Sequence, residues 1–351
     1  MLRLGVCDEV DVPHDPFPTC RCRLAASHAS LTESRCFVEG LVLSPTRGCG
    51  SLAECGKGRT AGGGASAERM LEWAAECVGG GARVVTVRAL HGREGPWLLG
   101  ISTPEGVRKV VLRAPTSRID AEMIVTGAAA LEVAERHGVP APRLVGRDLE
   151  GSAAGVPATL ESVVGGSTAW PRVMGAPQLR LVGAALARVH AVSLTARDGL
   201  PVRTRPIAVD DFAGDRRRGA MGSTPLLRVA DEWIRRTERP RGTTVFVHGD
   251  VWPGNVVRVG DSACVLIDWK TAGVGNPGVD LGELRKQMAF YYGLEAIDAV
   301  VDGWEQAAGR AAVDLAYWDV VAALNTRTDL GPVITGQRDE FLRDALARLD
   351  R

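Results

Sequence analysis

The chain has 351 residues, enough for one large domain or two lobes of ordinary size, and its apolar (45%) and charged (24%) fractions are those of a globular protein. Lys plus Arg equals Asp plus Glu at 42 each, so no net field favours nucleic acid or an anionic membrane surface as a partner. No apolar run approaches the roughly 20 residues that span a bilayer, and the opening MLRLGVCDEVDVPHDP lacks a signal-like apolar stretch, which makes the cytoplasm the expected compartment.

Six of the eight cysteines (Cys7, Cys20, Cys22, Cys36, Cys49 and Cys55) fall in the first 55 residues. A zinc module or a disulfide framework would explain the crowding, but the spacing gives one Cys-x-Cys and no paired Cys-x-x-Cys. The head ends in GCGSLAECGKGRTAGGGAS, rich in glycine and poor in apolar periodicity, so residues 1–66 are expected to be a disordered or non-native extension. The next methionine after Met1 is Met70, where helical patterning begins, and translation is expected to start near it.

From residue 67 the pattern becomes ordered. AERMLEWAAECV spaces Met70, Leu71, Trp73, Ala74, Cys77 and Val78 as a helix would, and three glycines end it. Three β-like runs follow, ARVVTVRAL, PWLLGIS and VRKVVLRA, separated by the turn-forming HGREG and TPEG. IDAEMIVTGAAALEVAERHG reads as a helix ending at Gly138, and PAPRLVG and PATLESVVGGS as two further strands, the second running into a linker. Helical periods then dominate: QLRLVGAALARVHAV, STPLLRVADEWIRRTERP, DLGELRKQMAFYYG, LEAIDAVVDGWEQAAG, AAVDLAYWDVVAALNTR and EFLRDALARLD. The expected architecture is α+β and bilobal, with a small antiparallel β lobe over residues 67–164 and a larger, mostly helical lobe over 165–351.

One segment, VFVHGDVWPGNVVRVGDSACVLIDWK, carries Asp250, Asn255 and Asp268 between apolar runs. Uncompensated carboxylates inside a core cost several kcal/mol, so these groups are either solvated or converge on a cation. The Gly260-Asp261 turn makes a hairpin whose open end brings Asn255 beside Asp268, with Asp250 close by. A carboxylate and an amide oxygen so placed are hard ligands for Mg²⁺, and the second carboxylate is left to take a hydroxyl proton. Trp252 and Trp269 are expected to pack the hairpin, and His190 to be a satisfied core histidine.

Four spaced elements, His248-Gly249-Asp250, Asn255, Ile267-Asp268-Trp269 and Gly275-Asn276-Pro277-x-x-Asp280-Leu281, together resemble the signature of the aminoglycoside phosphotransferase and choline-kinase-like family. The resemblance covers roughly residues 70–350 and implies a protein-kinase-like fold. It implies Asp250 as catalytic base, His248 as its supporting residue, and Asn255 and Asp268 as holders of Mg²⁺ on the phosphates of ATP. Asp280 is similar to a structural Asp expected to cap the following helix. Lys109, Val111 and Arg113 share a strand face, and a V-L-R subgroup favours Arg113 as the phosphate-bracing cation with Lys109 as the alternative. Glu122 stands where an acid would position that cation. Gly92 and Gly95 lie where the family covers the phosphates, and Glu161, Ser162 and Val163 where backbone groups meet the adenine edge. Gly249 replaces the Arg usual in protein kinases, which points to a small-molecule hydroxyl as acceptor.

The chemistry so implied is ATP- and Mg²⁺-dependent phosphate transfer to an antibiotic, amino alcohol or sugar. A kinase-like module that binds nucleotide or ligand without transfer is a competing reading. A metal-dependent phosphoesterase is another, but it needs several His ligands around its metals. Beyond the head only His91, His137, His190 and His248 are available, and they are scattered.

Overall fold

The computed structural model describes residues 63–349, apart from 91–94, 117–118 and 197. The cysteine-rich head up to residue 62, and Gly92 of the expected phosphate loop, lie outside the described residues. Helix α1 (Gly63–Val78) starts ahead of the expected residue 67. It lays Met70, Trp73 and Ala74 on a sheet made from β1 (Arg83–Ala89), β2 (Trp97–Thr103), β3 (Gly106–Arg113), β4 (Leu144–Asp148) and β5 (Ala158–Ser162). All neighbours run antiparallel in the order β1-β2-β3-β5-β4, so β5 sits between β3 and β4. Alternation fixes the buried face: Leu99 and Ile101 on β2, Val110 and Leu112 on β3, and Ala158 and Leu160 on β5 all close a core with α1.

Helix α2 (Ala121–Arg136) separates β3 from β4. The Asp120 carboxylate caps it by accepting from the Met123 N–H at 2.8 Å, and Gly138, at φ +66°, takes the left-handed turn that ends it. Its inner face packs against the turn at 269–271.

The remaining elements are α3 (Ala176–His190), β6 (Val202–Arg203), α4 (Phe212–Arg217), α5 (Pro225–Arg236), β7 (Val245–Val247), β8 (Val256–Val259), β9 (Ala263–Leu266), β10 (Gly273–Gly275), α6 (Gly278–Tyr292), α7 (Ala296–Ala308), α8 (Leu315–Leu324) and α9 (Pro332–Leu349). Leu186, Phe246, Val300 and Trp304 lie at the centre of this second core. Helices α3 and α7 touch through their backbones: a Cβ at Gly183 would stand 1.9 Å from the Val300 carbonyl, and one at Gly303 would stand 2.1 Å from the Arg180 carbonyl. Any larger residue at either position would force the helices apart. Among the described residues no helix is long and apolar enough to cross a membrane.

Three features differ from expectation. β6, β10 and β7 form a small sheet, with β10 parallel to β6 and antiparallel to β7. Its strands are too short to show a period and exist through their partners. The basic run DRRRG, whose charge suits a solvated loop, instead overlaps α4, which Asp211 caps on the Gly214 N–H at 3.0 Å. Helix α9 begins at Pro332, well before EFLRDALARLD, because a proline in the first turn lacks only an N–H that has no partner there anyway.

Candidate active site

The site begins beneath β7, where the chain leaves Val247 and must expose a loop without losing its backbone hydrogen bonds. Asp280, in the first turn of α6, meets that need. Its carboxylate accepts from the His248 N–H (Oδ2, 2.7 Å) and the Gly249 N–H (Oδ1, 2.7 Å), and its Oδ2 lies 3.1 Å from Nε2 of His190. The expected helix-capping role is thus corrected: Pro277 holds the cap position, and the Asp280 carboxylate turns back to pin the loop instead. His190 is the satisfied core histidine expected, taking a hydrogen bond on Nδ1 from the Trp304 indole at 3.0 Å.

His248 is fully buried. Its Nε2 donates to the Ile267 carbonyl at 2.9 Å and its Nδ1 accepts from the Asp250 N–H at 3.3 Å, a pattern only the neutral ring can make. Burial pushes its pKa below the usual histidine range, against the pull of Asp280, Asp250 and Asp268. The ring also meets Trp269 edge-on at 4.6 Å, and Trp269 stacks on Phe246 at 5.0 Å. Trp269 therefore packs the site from behind. Gly249 has φ +80°, and a Cβ there would lie 2.3 Å from the Thr271 carbonyl.

Asp250 is 2% exposed. Asn255, on a single 3₁₀ turn (Pro253–Asn255), donates from Nδ2 to the Asp250 carbonyl at 2.9 Å and to its Oδ2 at 3.2 Å. The other carboxylate oxygen, Oδ1, is buried with no hydrogen-bond partner among the described residues. A buried carboxylate oxygen without a donor is costly, so one held this way is aimed at something that brings a proton or a cation.

Hairpin register carries Asp268 to the same place. Val256 pairs with Leu266, the Ile267 N–H donates to the Asn255 carbonyl at 2.9 Å, and Asp268 comes next. Asp268 adopts the left-handed region at φ +68°, uncommon for a residue with a side chain, and this swings its carboxylate into the cleft. There Oδ1 accepts from Nη1 of Arg113 at 3.0 Å, and Oδ2 accepts from Nζ of Lys270. Burial alone would raise the Asp268 pKa, but Lys270 and Arg113 hold it well below the usual carboxylate range. Lys270 Nζ also stands 3.9 Å from Oδ2 of Asp250, so one ammonium links the two carboxylates.

Arg113 reaches Asp268 from the sheet lobe with its Nε bonded to Oε1 of Glu161 at 2.8 Å. β3–β5 pairing sets Arg113 opposite Thr159, two residues from Glu161 on the same face. Burial raises the Glu161 pKa, and Arg113 pulls it only partly back.

These contacts correct two expectations and decide between two alternatives. The acid that positions Arg113 is Glu161, not Glu122, which is exposed at the start of α2 and acts electrostatically on half-buried Arg203. Glu161, expected to offer its backbone to adenine, contributes its side chain. Lys109 lies on the exposed half of β3, paired with Gly100, while Arg113 enters the cleft. Ser162 ends β5, where its Oγ accepts from the Arg143 N–H at 2.8 Å, and Val163 follows it, exposed. Gly95, at φ +96°, packs against the Trp97 ring.

Lys270 escaped the sequence reading altogether, and Glu161 was placed at the site without its side-chain role. Lys270 is two positions past Asp268, where the left-handed Asp268 and the following 3₁₀ turn follow no strand alternation that would have pointed to it. Glu161 is a lone acid in an apolar strand, which is itself a sign of a buried partner. Among the described residues no three His, Cys, Asp or Glu side chains form a metal cage. The donor pair of the Asp268 carboxylate and the Asn255 amide oxygen nevertheless fits a hard divalent ion that takes the rest of its shell from phosphate and water.

A family model described as the phosphotransferase enzyme family matches residues 65–324. The chain belongs to that family, and it has the protein-kinase-like fold. No curated protein matches it. A candidate aminoglycoside phosphotransferase from Ralstonia eutropha JMP134 superposes with a TM-score of 0.57 at 16% identity, covering 80% of this chain and 98% of that one. The macrolide 2′-phosphotransferase MphH from Brachybacterium faecium gives 0.51 at 19% identity, with 80% and 98% covered. Amicoumacin kinase hAmiN, in complex with AMP-PNP, Ca²⁺ and Ami, gives 0.52 at 10% identity, with 75% and 88% covered.

Proposed function

We propose that this phosphotransferase is an ATP- and Mg²⁺-dependent O-phosphotransferase acting in the cytoplasm on a hydroxyl of a small molecule: an aminoglycoside-like antibiotic, an amino alcohol or a sugar. The observation that carries this reading is the buried, unpartnered Oδ1 of Asp250 beside the charge-clamped Asp268. Asp250 takes the proton of the incoming hydroxyl on Oδ1, while Asn255 and the neutral His248 fix the carboxylate and its loop. Asp268 and Asn255 would hold Mg²⁺, which when bound neutralises charge on the transferring phosphate. Arg113, steadied by Glu161, presents its Nη edge to the phosphates. Residues 67–164 carry the nucleotide, and residues 165–351 carry the acceptor. The nucleotide analogue and divalent ion held by the amicoumacin kinase support the donor assignment.

A library of hydroxyl compounds screened for ATP consumption tests the reading. One or more compounds should be phosphorylated on oxygen, and Asp250→Ala should cut that turnover by about 10²–10⁴-fold. Equal turnover by the variant, or no acceptor-dependent ATP consumption across the library, would remove Asp250 from this role.

A further inference from the structure

Lys270 holds a position that none of the roles above requires. It lies in the 3₁₀ turn Trp269–Thr271, under the inner face of α2, where a Cβ at Gly127 would come within 3.6 Å of its Cα. Its side chain is only 12% exposed, and its Nζ bonds to Oδ2 of Asp268 and lies 3.9 Å from Oδ2 of Asp250. Arg113 occupies the other oxygen of Asp268. Both oxygens of that carboxylate therefore already carry a cation. A divalent ion ligated by Asp268 would need one of them at about 2.0–2.1 Å, and an ammonium on the same oxygen would repel it across a cleft of low dielectric.

We infer that Lys270 is a built-in counter-ion: it closes the metal position of Asp268 in the nucleotide-free protein and leaves when metal and nucleotide arrive together. The inference rests on the proposed function for the identity of that position. Arg113 is a poor candidate for the group that yields, because Glu161 holds its Nε in a buried pair. Lys270 hangs on a flexible four-carbon stem with no second hydrogen bond among the described residues to hold it, since 3.9 Å to Asp250 exceeds hydrogen-bond reach. Nucleotide phosphates offer the displaced ammonium a new acceptor, so exchange costs little with nucleotide present and much with metal alone. The device thus couples metal binding to nucleotide binding and stops the two carboxylates from collecting a bare divalent ion.

The test is Mn²⁺ titration of the full chain, followed by the electron paramagnetic resonance of free Mn²⁺, with and without ADP. Lys270→Met should bind Mn²⁺ about tenfold more tightly than wild type without ADP, one competing ion pair's worth, and should show weaker coupling between ADP and Mn²⁺. Lys270→Arg, which restores the charge, should return toward wild type. Lys270→Gln serves as a second neutral variant should the Met variant not fold. Unchanged or weaker Mn²⁺ binding by a folded neutral variant overturns the counter-ion role while leaving the proposed function standing, provided Mn²⁺ and ADP still bind together. If wild type and variants bind neither Mn²⁺ nor ADP, the proposed function falls, and this inference with it.

Discussion

The loop at 248–255 and the turn at 268–271 each bring one carboxylate to the same cleft, and they hold it by opposite means. Asp250 is fixed mainly by hydrogen bonds: Asn255 on one oxygen, His248 on its backbone, and the Asp280 carboxylate beneath the loop, with the Lys270 ammonium 3.9 Å away. Asp268 is fixed by charge, with Arg113 and Lys270 on its two oxygens. A carboxylate meant to accept a proton must not sit between two cations, which would hold it ionised, whereas one meant to anchor cations gains from such company. Under the proposed function, the difference suits separate tasks for two chemically identical groups.

Substitutions can break this contrast, beginning with the largest expected effect. Asp280→Ala leaves the His248 and Gly249 N–H groups without acceptors, and it should destabilise the fold by roughly 5 kcal/mol in chemical denaturation, together with loss of turnover. Asp250→Asn should leave denaturation nearly unchanged while lowering turnover about 10³-fold in a coupled ATP assay, the usual worth of a positioned base. Arg113→Met strands Glu161 in the interior and should cost about 3 kcal/mol, with the Arg113→Met, Glu161→Met pair recovering much of it in a double-mutant cycle. The smallest effect concerns pH. Burial depresses the pKa of His248 in the folded protein. Its contribution is therefore fully present above the unfolded value of about 6.5 and declines as pH falls toward the folded value. Stability measured at about pH 5.5 should fall below that at about pH 7.5, and His248→Asn should flatten this slope.

Much of the cleft was legible because its key contacts are local. The Gly260-Asp261 turn and the buried face shared by Val256, Cys264 and Leu266 select this register, and that register sets Asn255 near Asp268. The partner of Arg113 was not legible, because it depends on β5 inserting beside β3 across an intervening helix and strand. Nor was the downward reach of Asp280. Its spacing from Pro277 suits a cap, and only the close approach of the loop above shows the carboxylate turned the other way. Lys270 was hidden by the left-handed backbone at Asp268, which decides where the following turn delivers its side chain.

Gly249 has one further consequence. With no side chain, it lets its backbone rest flush against the Thr271 carbonyl, so the strand end bearing Asp250 and the turn bearing Asp268 abut like fitted masonry. The gap between the two acids is then a property of the main chain, and it stays constant whichever rotamers the surrounding walls adopt. Under the proposed function, acceptors of different girth would be accommodated by reshaping those walls, which leaves the spacing between Asp250 and Asp268 untouched.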